Sequence, residues 1–161
     1  KLEQHKLEMN KKEVPLSPMI EDLIEKFTIK TEKTIHFTTD LKTEKVYADE
    51  EFLKEAISNL IDNAIKYSKE SVKINANHDI INIYDNGIGI PQKDQKKIFE
   101  KFERASAIKQ TRKGGPSGFG LGLNYVYQVM EAHEGRVYIN SIEGEFSEFS
   151  LLIPKIIESY D

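Results

Sequence analysis

Four short segments, in a fixed order, constrain the fold of this chain more than any other feature of its sequence. They span residues 59–67, 85–90, 98–104 and 118–123. The first lies in an amphipathic helical pattern, and the second follows an apolar strand pattern. The third ends a short helical pattern, and the last begins another helix. A chain that contains all four must alternate helices with strands, although each segment alone is a weak signal.

Apolar periodicity predicts the elements that carry these segments. Apolar residues that alternate or run together predict strands at 13–16, 34–38, 45–47, 72–76, 80–84, 136–141 and 145–153. Apolar residues at every third or fourth position predict helices that begin near residue 18 and that span 50–67, 93–102 and 119–133. This order predicts an α/β fold, a two-layer sandwich whose mixed sheet is covered on one face by three main helices.

Small polar residues, proline and glycine mark the expected element ends. Ser17 is the expected cap of the first helix, with Pro18 in its first turn. Asp49 is the expected cap of the second helix, and Gly135 lies where the last helix should stop. Residues 77–79 suit a tight hairpin turn.

The length of 161 residues suits one domain, which we place at residues 11–161. Residues 1–10 have apolar positions on one helical face and are interpreted as the end of a helix separated from its partner. Residues 104–117 are polar and aperiodic, which predicts a mobile loop. Because the first residue is Lys, we expect this to be a piece of a longer protein.

Composition excludes several classes of function. A hydrophobic content of 39% is ordinary for a soluble domain, and a net charge of −4 gives no footprint for nucleic acid, so no nucleic-acid partner is expected. Without cysteine there is no disulfide framework and no thiolate metal site. No apolar run is long enough to span a membrane, and no signal peptide is present. The histidines lack metal-ligand spacing and are expected to be surface or structural: His5, His36, His78 and His133.

The second helix carries polar residues on one face. Glu55, Asn59 and Asn63 are four residues apart and Lys66 follows by three, so they share that face. Two carboxamide oxygens one turn apart can ligate Mg²⁺, and the lysine can contact a phosphate as a point charge. A solvated helix face is an equally good interpretation of this segment alone.

Asp85 ends an apolar strand and is followed by Asn-Gly-Ile-Gly. A carboxylate there can accept a hydrogen bond from an exocyclic amine, and Gly87 and Gly89 allow close approach to a planar ring. Taken alone, an ordinary turn is the better interpretation, because Asn-Gly is a common turn dipeptide.

The glycines at 118, 120 and 122 do not form a dinucleotide fingerprint, because a polar loop rather than a strand precedes them. A Walker A loop is also excluded, since no Gly-Lys-Ser/Thr occurs. Backbone amides at a helix N-terminus remain, and these favour anions. Arg104 and three further basic residues of the loop add positive charge nearby.

Together the four segments resemble the catalytic and ATP-binding domain of bacterial sensor histidine kinases. That domain belongs to the superfamily shared with gyrase B, the heat-shock chaperone of ninety kilodaltons and the MutL mismatch-repair proteins. The resemblance covers residues 11–155 and involves the N box (59–67), the G1 box (85–89), the F box (Phe99 and Phe102) and the G2 box (118–123). It implies the two-layer fold and a reaction in which the γ-phosphoryl group of Mg–ATP passes to a histidine.

The resemblance also implies a role for each site residue. Asn63, with Asn59, would hold Mg²⁺, Lys66 would contact a phosphate, Asp85 would bind the adenine amino group and Arg104 would approach the γ-phosphate. Residues implied to contact ATP are Asn63, Lys66, Tyr67, Asp85, Gly87, Gly89, Ile90, Gly118, Gly120, Leu121, Gly122 and Leu123. The loop at 104–117 would be an ATP lid, anchored by the F box and mobile without nucleotide.

One position separates kinases from ATPases in this superfamily. The ATPases carry a water-activating glutamate four residues before the metal-binding asparagine, where this chain has Asn59. An amide has no useful basicity, and Glu55 lies a further turn away. The kinase interpretation is therefore favoured.

The resemblance implies partners outside the chain. The acceptor histidine normally precedes an acidic residue, whereas His5 precedes Lys6, so the acceptor is expected on a dimerisation domain of the same parent protein. A response-regulator receiver domain would take the phosphate next. We expect a monomeric cytoplasmic domain from a homodimeric parent in the bacterial inner membrane. A degenerate kinase acting as a scaffold and a serine kinase of the anti-sigma type are the alternatives.

Overall fold

The computed structural model describes residues 8–40, 45–77, 80–103 and 117–154. Its strands are β1 (Lys11–Pro15), β2 (Thr34–Thr39), β3 (Lys45–Asp49), β4 (Ser71–Asn77), β5 (Ile80–Asp85), β6 (Arg136–Ile142) and β7 (Phe146–Leu152). Its helices are α1 (Leu16–Lys30), α2 (Glu50–Tyr67), α3 (Gln92–Glu103) and α4 (Ser117–Ala132). Every strand and helix predicted within residues 11–161 is present, with ends shifted by a few residues.

The main sheet has five strands in the order β2-β4-β5-β7-β6, and β1 pairs with β3 in a separate two-stranded sheet. The β2–β4 pair is parallel, and the other pairs of the main sheet are antiparallel. Residue Asn77 lies opposite Ile80, as the predicted hairpin requires. The sheet is therefore mixed, as expected.

One face of the main sheet is apolar and covered by helices. Alternate strand residues on that face are buried: Val72, Ile74, Ala76, Ile81, Ile83, Val137, Phe149 and Leu151. Helix α1 packs on β2, α2 on β4 and β5, and α4 on β6. Because side chains alternate between the two faces of a strand, the intervening residues form a polar outer face. The predicted two-layer architecture is confirmed.

The start of α1 differs from the prediction. Ser17 is not the cap: the helix begins at Leu16, the cap position is Pro15, and no side chain caps the helix there. Leu16 is fully buried and shares the buried face of α1 with Met19, Ile20 and Leu23. Burial of this side chain, worth about 1.5–3 kcal/mol, favours a helix that starts before the serine. Pro18 does lie in the first turn.

The residue that ends α4 also differs from the prediction. The helix stops at Ala132, and the left-handed residue after it is Glu134, with a φ of 61°, rather than Gly135. Gly135 is buried, and a Cβ there would lie 2.2 Å from the Leu152 carbonyl oxygen. A side chain is therefore excluded at residue 135 by the neighbouring strand β7.

The predicted lid and N-terminal helix lie mainly outside the described residues. Of the lid at 104–117, only Ser117 is described, and it begins α4 instead of ending a loop. Of the N-terminal segment at 1–10, residues 8–10 are described and are not helical. In the described ranges, no helix is both long enough and apolar enough to cross a membrane.

Candidate functional site

The predicted site residues of α2 face the glycine-rich start of α4. A Cβ built at Gly122 would lie 3.9 Å from Asn59 Cβ and 3.9 Å from Asn63 Nδ2. Asn63 is buried, and among the described residues its Nδ2 is one of two buried side-chain polar atoms without a hydrogen-bond partner. An unpaired buried amide costs about 1–3 kcal/mol unless something binds it. The structure thus brings both asparagines close to the glycine-rich start of α4, which the sequence analysis expected to favour anions.

The end of α2 meets the loop after β5. Tyr67, the last residue of α2, accepts a hydrogen bond from the Ile88 amide at 3.3 Å through its carbonyl oxygen. A Cβ at Gly87 would lie 1.8 Å from that same carbonyl oxygen. Lys66 is exposed beside it. Gly87 is therefore required by the backbone of α2, a reason that the sequence pattern did not reveal.

Asp85 is buried at the end of β5. Its Oδ1 accepts a hydrogen bond from the Gly87 amide at 2.9 Å, and the residue is 4% exposed. Burial raises the pKa of Asp85 from 3.8 to about 6, although the Gly87 amide and the Lys33 cation act in the opposite direction. A carboxylate with a second free oxygen in a dry site is suited to accept a hydrogen bond from a ligand amine.

The loop from Asn86 to Pro91 is held against the β6–β7 hairpin. Gly89 has a φ of 69°, and a Cβ there would lie 2.2 Å from the Ile142 carbonyl oxygen. The Ile90 amide donates to Ser141 Oγ at 2.8 Å, and Gln95 Nε2 donates to the Ile90 carbonyl at 2.8 Å. Ile90 itself is 2% exposed. These contacts fix the path of the loop that follows Asp85.

Sequence reasoning missed three residues that position this site. Ser141 and Gln95 hold the loop, and Lys33 Nζ donates to the carbonyl oxygens of Ile65 at 2.5 Å and Ser68 at 2.8 Å. A cation at the last turn of a helix is favourable, because the final carbonyls point outward with partial negative charge. Lys33 lies 32 and 35 residues from its two partners, and Ser141 lies 51 residues from Ile90 and 46 from Gln95, so no local pattern could indicate these contacts.

The remaining predicted residues have different outcomes. Gly118, Gly120 and Leu121 lie in the first two turns of α4, and Leu123 is a buried core residue. Arg104 lies outside the described residues. Glu55 is engaged elsewhere, since its Oε1 accepts from the Tyr125 hydroxyl at 2.6 Å.

Of the histidines, His133 is structural. It is 4% exposed, its Nε2 accepts from the Asp49 amide at 3.0 Å, and its Nδ1 lies 2.8 Å from the Val129 carbonyl. These partners require the neutral tautomer with the proton on Nδ1. Burial lowers the pKa of His133 below 6.5.

The chain matches a sequence family described as histidine kinase-, DNA gyrase B-, and HSP90-like ATPase over residues 48–157. It is 33% identical to the adaptive-response sensory kinase SasA of Crocosphaera subtropica, over 92% of this chain and 40% of that protein. It is 30% identical to the sensor histidine kinase WalK of Bacillus subtilis, over 100% of this chain and 28% of that protein. The chain thus spans well under half the length of these curated relatives.

Solved structures share the fold. The catalytic domain of histidine kinase ThkA in a nucleotide-free form superposes with a TM-score of 0.73 at 24% identity, covering 91% of this chain and 97% of that one. Full-length ShkA in complex with AMPPNP superposes with a TM-score of 0.72 at 19% identity, covering 93% of this chain and 33% of that one. At these identities the likeness establishes the architecture alone.

Proposed function

We propose, from the premise that this chain belongs to the histidine kinase-, DNA gyrase B- and HSP90-like ATPase family, that it donates the γ-phosphoryl group of ATP to a histidine. The chain is an ATP-binding catalytic domain of the kind found in sensor histidine kinases. The acceptor histidine belongs to a separate dimerisation domain of the same parent protein. A receiver domain of a response regulator then takes the phosphate.

At the adenine end, Asp85 provides recognition. Its ionised carboxylate accepts a hydrogen bond from the exocyclic amine, and the Gly87 amide already fixes one of its oxygens. Because the carboxylate is buried, this bond forms in a low-dielectric site, where an unpaired charge is costly. A purine without that amine therefore binds more weakly.

At the phosphate end, the residues present fit a hard cation. Asn59 and Asn63 offer carboxamide oxygens one turn apart, which suit Mg²⁺, and the unpaired Nδ2 of Asn63 is a donor from which a phosphate oxygen can accept. Asn63, with Asn59, would hold Mg²⁺, which neutralises phosphate charge when bound. The amides of residues 120–123 and Lys66 hold and orient the phosphates, and Arg104 approaches the γ-phosphate.

The identity of residue 59 is the observation that favours phosphoryl transfer to another protein group over hydrolysis of ATP. Asn59 lies near the same α4 glycine as Asn63, but an amide cannot remove a proton from water. Glu55, the nearest carboxylate on that face, is hydrogen bonded to Tyr125. Positioning and charge stabilisation suffice for phosphoryl transfer to an external nucleophile.

The pocket is tested by calorimetry of Mg–ATP binding to Asn63→Asp and Asp85→Asn. We expect each variant to bind at least about tenfold more weakly, since the first adds a charge beside the phosphates and the second removes a charged acceptor. Asp62→Asn is the matched control, because Asp62 is exposed on the same helix. If both site variants bind ATP like the unmutated chain, the site assignment is wrong.

The wider setting is part of the proposal. We infer that the parent is a homodimer in the bacterial inner membrane, with this domain in the cytoplasm as a monomer. The support is that the relatives are sensor kinases two to four times longer than the matched segment. Light scattering of the isolated chain tests the monomer, and a dimer mass contradicts it.

A further inference from the structure

Helices α2 and α4 run antiparallel. Outside the nucleotide pocket, polar contacts join them at two places along their length. At one end, the Asp49 amide donates to His133 Nε2 at 3.0 Å. In the middle, the Tyr125 hydroxyl donates to Glu55 Oε1 at 2.6 Å. Beyond these two contacts, Gly122 lies against Asn59 and Asn63. These three points of approach follow one another along the two helices, and the nucleotide pocket lies at the third.

The hydrogen bond between Tyr125 and Glu55 lies close enough to Gly122 to influence how the start of α4 sits against Asn59 and Asn63. Glu55 precedes Asn59 by one turn, or about 6 Å along the helix axis, and Tyr125 follows Gly122 by three residues. A hydrogen bond to a carboxylate at 2.6 Å is short and charge-assisted. Burial, together with the Glu55 carboxylate, raises the pKa of the Tyr125 hydroxyl, so this group remains a donor at neutral pH.

The start of α4 lies close to α2 at Gly122. An added Cβ at residue 122 would already be in van der Waals contact with both asparagines. A small slide or rotation of α4 along α2 therefore changes which backbone amides of α4 face the two carboxamides. Small shifts of this kind, far from the reacting atoms, weaken ligand binding without unfolding the protein.

We propose that Glu55 and Tyr125 are positioning residues whose hydrogen bond holds the phosphate-binding start of α4 in register with Asn59 and Asn63. This inference rests on the proposed function, because it concerns the phosphates of the same nucleotide. It assigns Glu55 a role in affinity for the triphosphate.

The test compares two ligands in matched variants. Tyr125→Phe removes only the hydroxyl, Glu55→Ala removes the acceptor, and Glu55→Gln keeps an accepting oxygen. Tyr127→Phe is the control, because it removes a hydroxyl from the same helix that donates to Glu131, four residues further along α4. Dissociation constants for Mg–ATP are measured by calorimetry, and those for adenosine, which lacks phosphates, by NMR titration.

We expect Tyr125→Phe and Glu55→Ala each to weaken Mg–ATP binding by about three- to tenfold and to leave adenosine binding within about twofold. Glu55→Gln should retain most of the affinity, and the double variant should be no weaker than the single ones. Tyr127→Phe should match the wild type with both ligands. A residue that merely stabilises the fold would not separate the two ligands.

Two results overturn the inference while leaving the proposed function intact. One is a Tyr125→Phe variant that binds both ligands like the wild type, and the other is an equal loss for Mg–ATP and adenosine. A wild-type chain that binds neither ligand overturns the proposed function, and this inference with it.

Discussion

At the scale of single residues, the proposed recognition of adenine by Asp85 should depend on pH because this residue is buried. Its carboxylate must be ionised to accept two hydrogen bonds, yet burial raises its pKa to about 6. At pH 5 only about a tenth of the carboxyl groups remain ionised. We therefore expect adenosine affinity to fall about tenfold between pH 7.5 and pH 5, as measured by NMR titration. Affinity that stays constant over that range would contradict this assignment.

Asp85→Asn is the matched variant for that experiment. Its adenosine binding should be weak and independent of pH, because no group titrates at this position.

The raised pKa of Asp85 also affects stability, because it means that the folded state favours the protonated acid. The associated stability is present below pH 3.8 and is lost as the pH rises through about 6. Asp85→Asn should therefore raise the free energy of unfolding at pH 7 by about 1–3 kcal/mol, measured by urea denaturation.

Glu134 is strained at the end of α4. Its φ of 61° is a left-handed conformation that costs a residue with a side chain about 1–2 kcal/mol, and glycine adopts it freely. We expect Glu134→Gly to raise the free energy of unfolding by about 1 kcal/mol, even though glycine gains entropy in the unfolded chain. Glu134→Ala removes the same carboxylate but keeps the Cβ, and should give no gain. Equal urea midpoints for the two variants would exclude strain relief.

At the scale of elements, Asp49 and His133 connect three segments. The Asp49 carboxylate caps α2 by accepting from Phe52, as predicted, and also accepts from the Asn10 amide at 2.8 Å. The Asp49 amide donates to His133 at the end of α4. These contacts join residue 10 to the start of α2 and the end of α4. Only the cap was visible in the sequence, because it is local.

His133 makes this junction sensitive to acid. Its pKa is lowered by burial, with Lys11 acting in the same direction and the Val129 carbonyl and the Asp49 carboxylate opposing it. The stability that it contributes is present above pH 6.5 and is lost as the pH falls through its lowered pKa. We expect the difference in unfolding free energy between wild type and His133→Gln to shrink between pH 7.5 and pH 5.

The difference in unfolding free energy between wild type and His133→Gln is the quantity to measure. The stability contributed by Asp85 increases as the pH falls over the same range, and this contribution cancels in the difference. At pH 7.5, His133→Gln should cost about 1–3 kcal/mol, since one of two buried hydrogen bonds is lost. His36→Gln, at an exposed position of β2, is the control for loss of a histidine and should change the free energy of unfolding by less than about 0.5 kcal/mol at pH 7.5. A constant difference across the range would show that His133 does not titrate with unfolding.

At the scale of the whole molecule, periodicity was enough to predict the layers and the order of elements. The helix face with Asn59 and Asn63 and the glycine-rich start of α4 are local patterns, whereas their common site was implied only by the family resemblance. The exact helix start at Leu16 was not predictable, since it depends on burial against the assembled core. Contacts of Lys33 and Ser141 depend on the sheet topology, which brings distant segments together.

The reaction itself separates three classes of protein that share this pocket. We expect Mg–ATP, this chain and the separately purified dimerisation domain of the parent to give phosphate on a histidine, which is labile to acid and stable to base. Acceptor domain with its histidine changed to glutamine is the control and should stay unlabelled. Acid-stable phosphoserine on a partner would favour a serine kinase, and free phosphate without labelled protein would indicate an ATPase.

Because Asn59 offers no base for water, Asn59→Glu should raise the release of free phosphate at the expense of phosphoryl transfer to the acceptor domain.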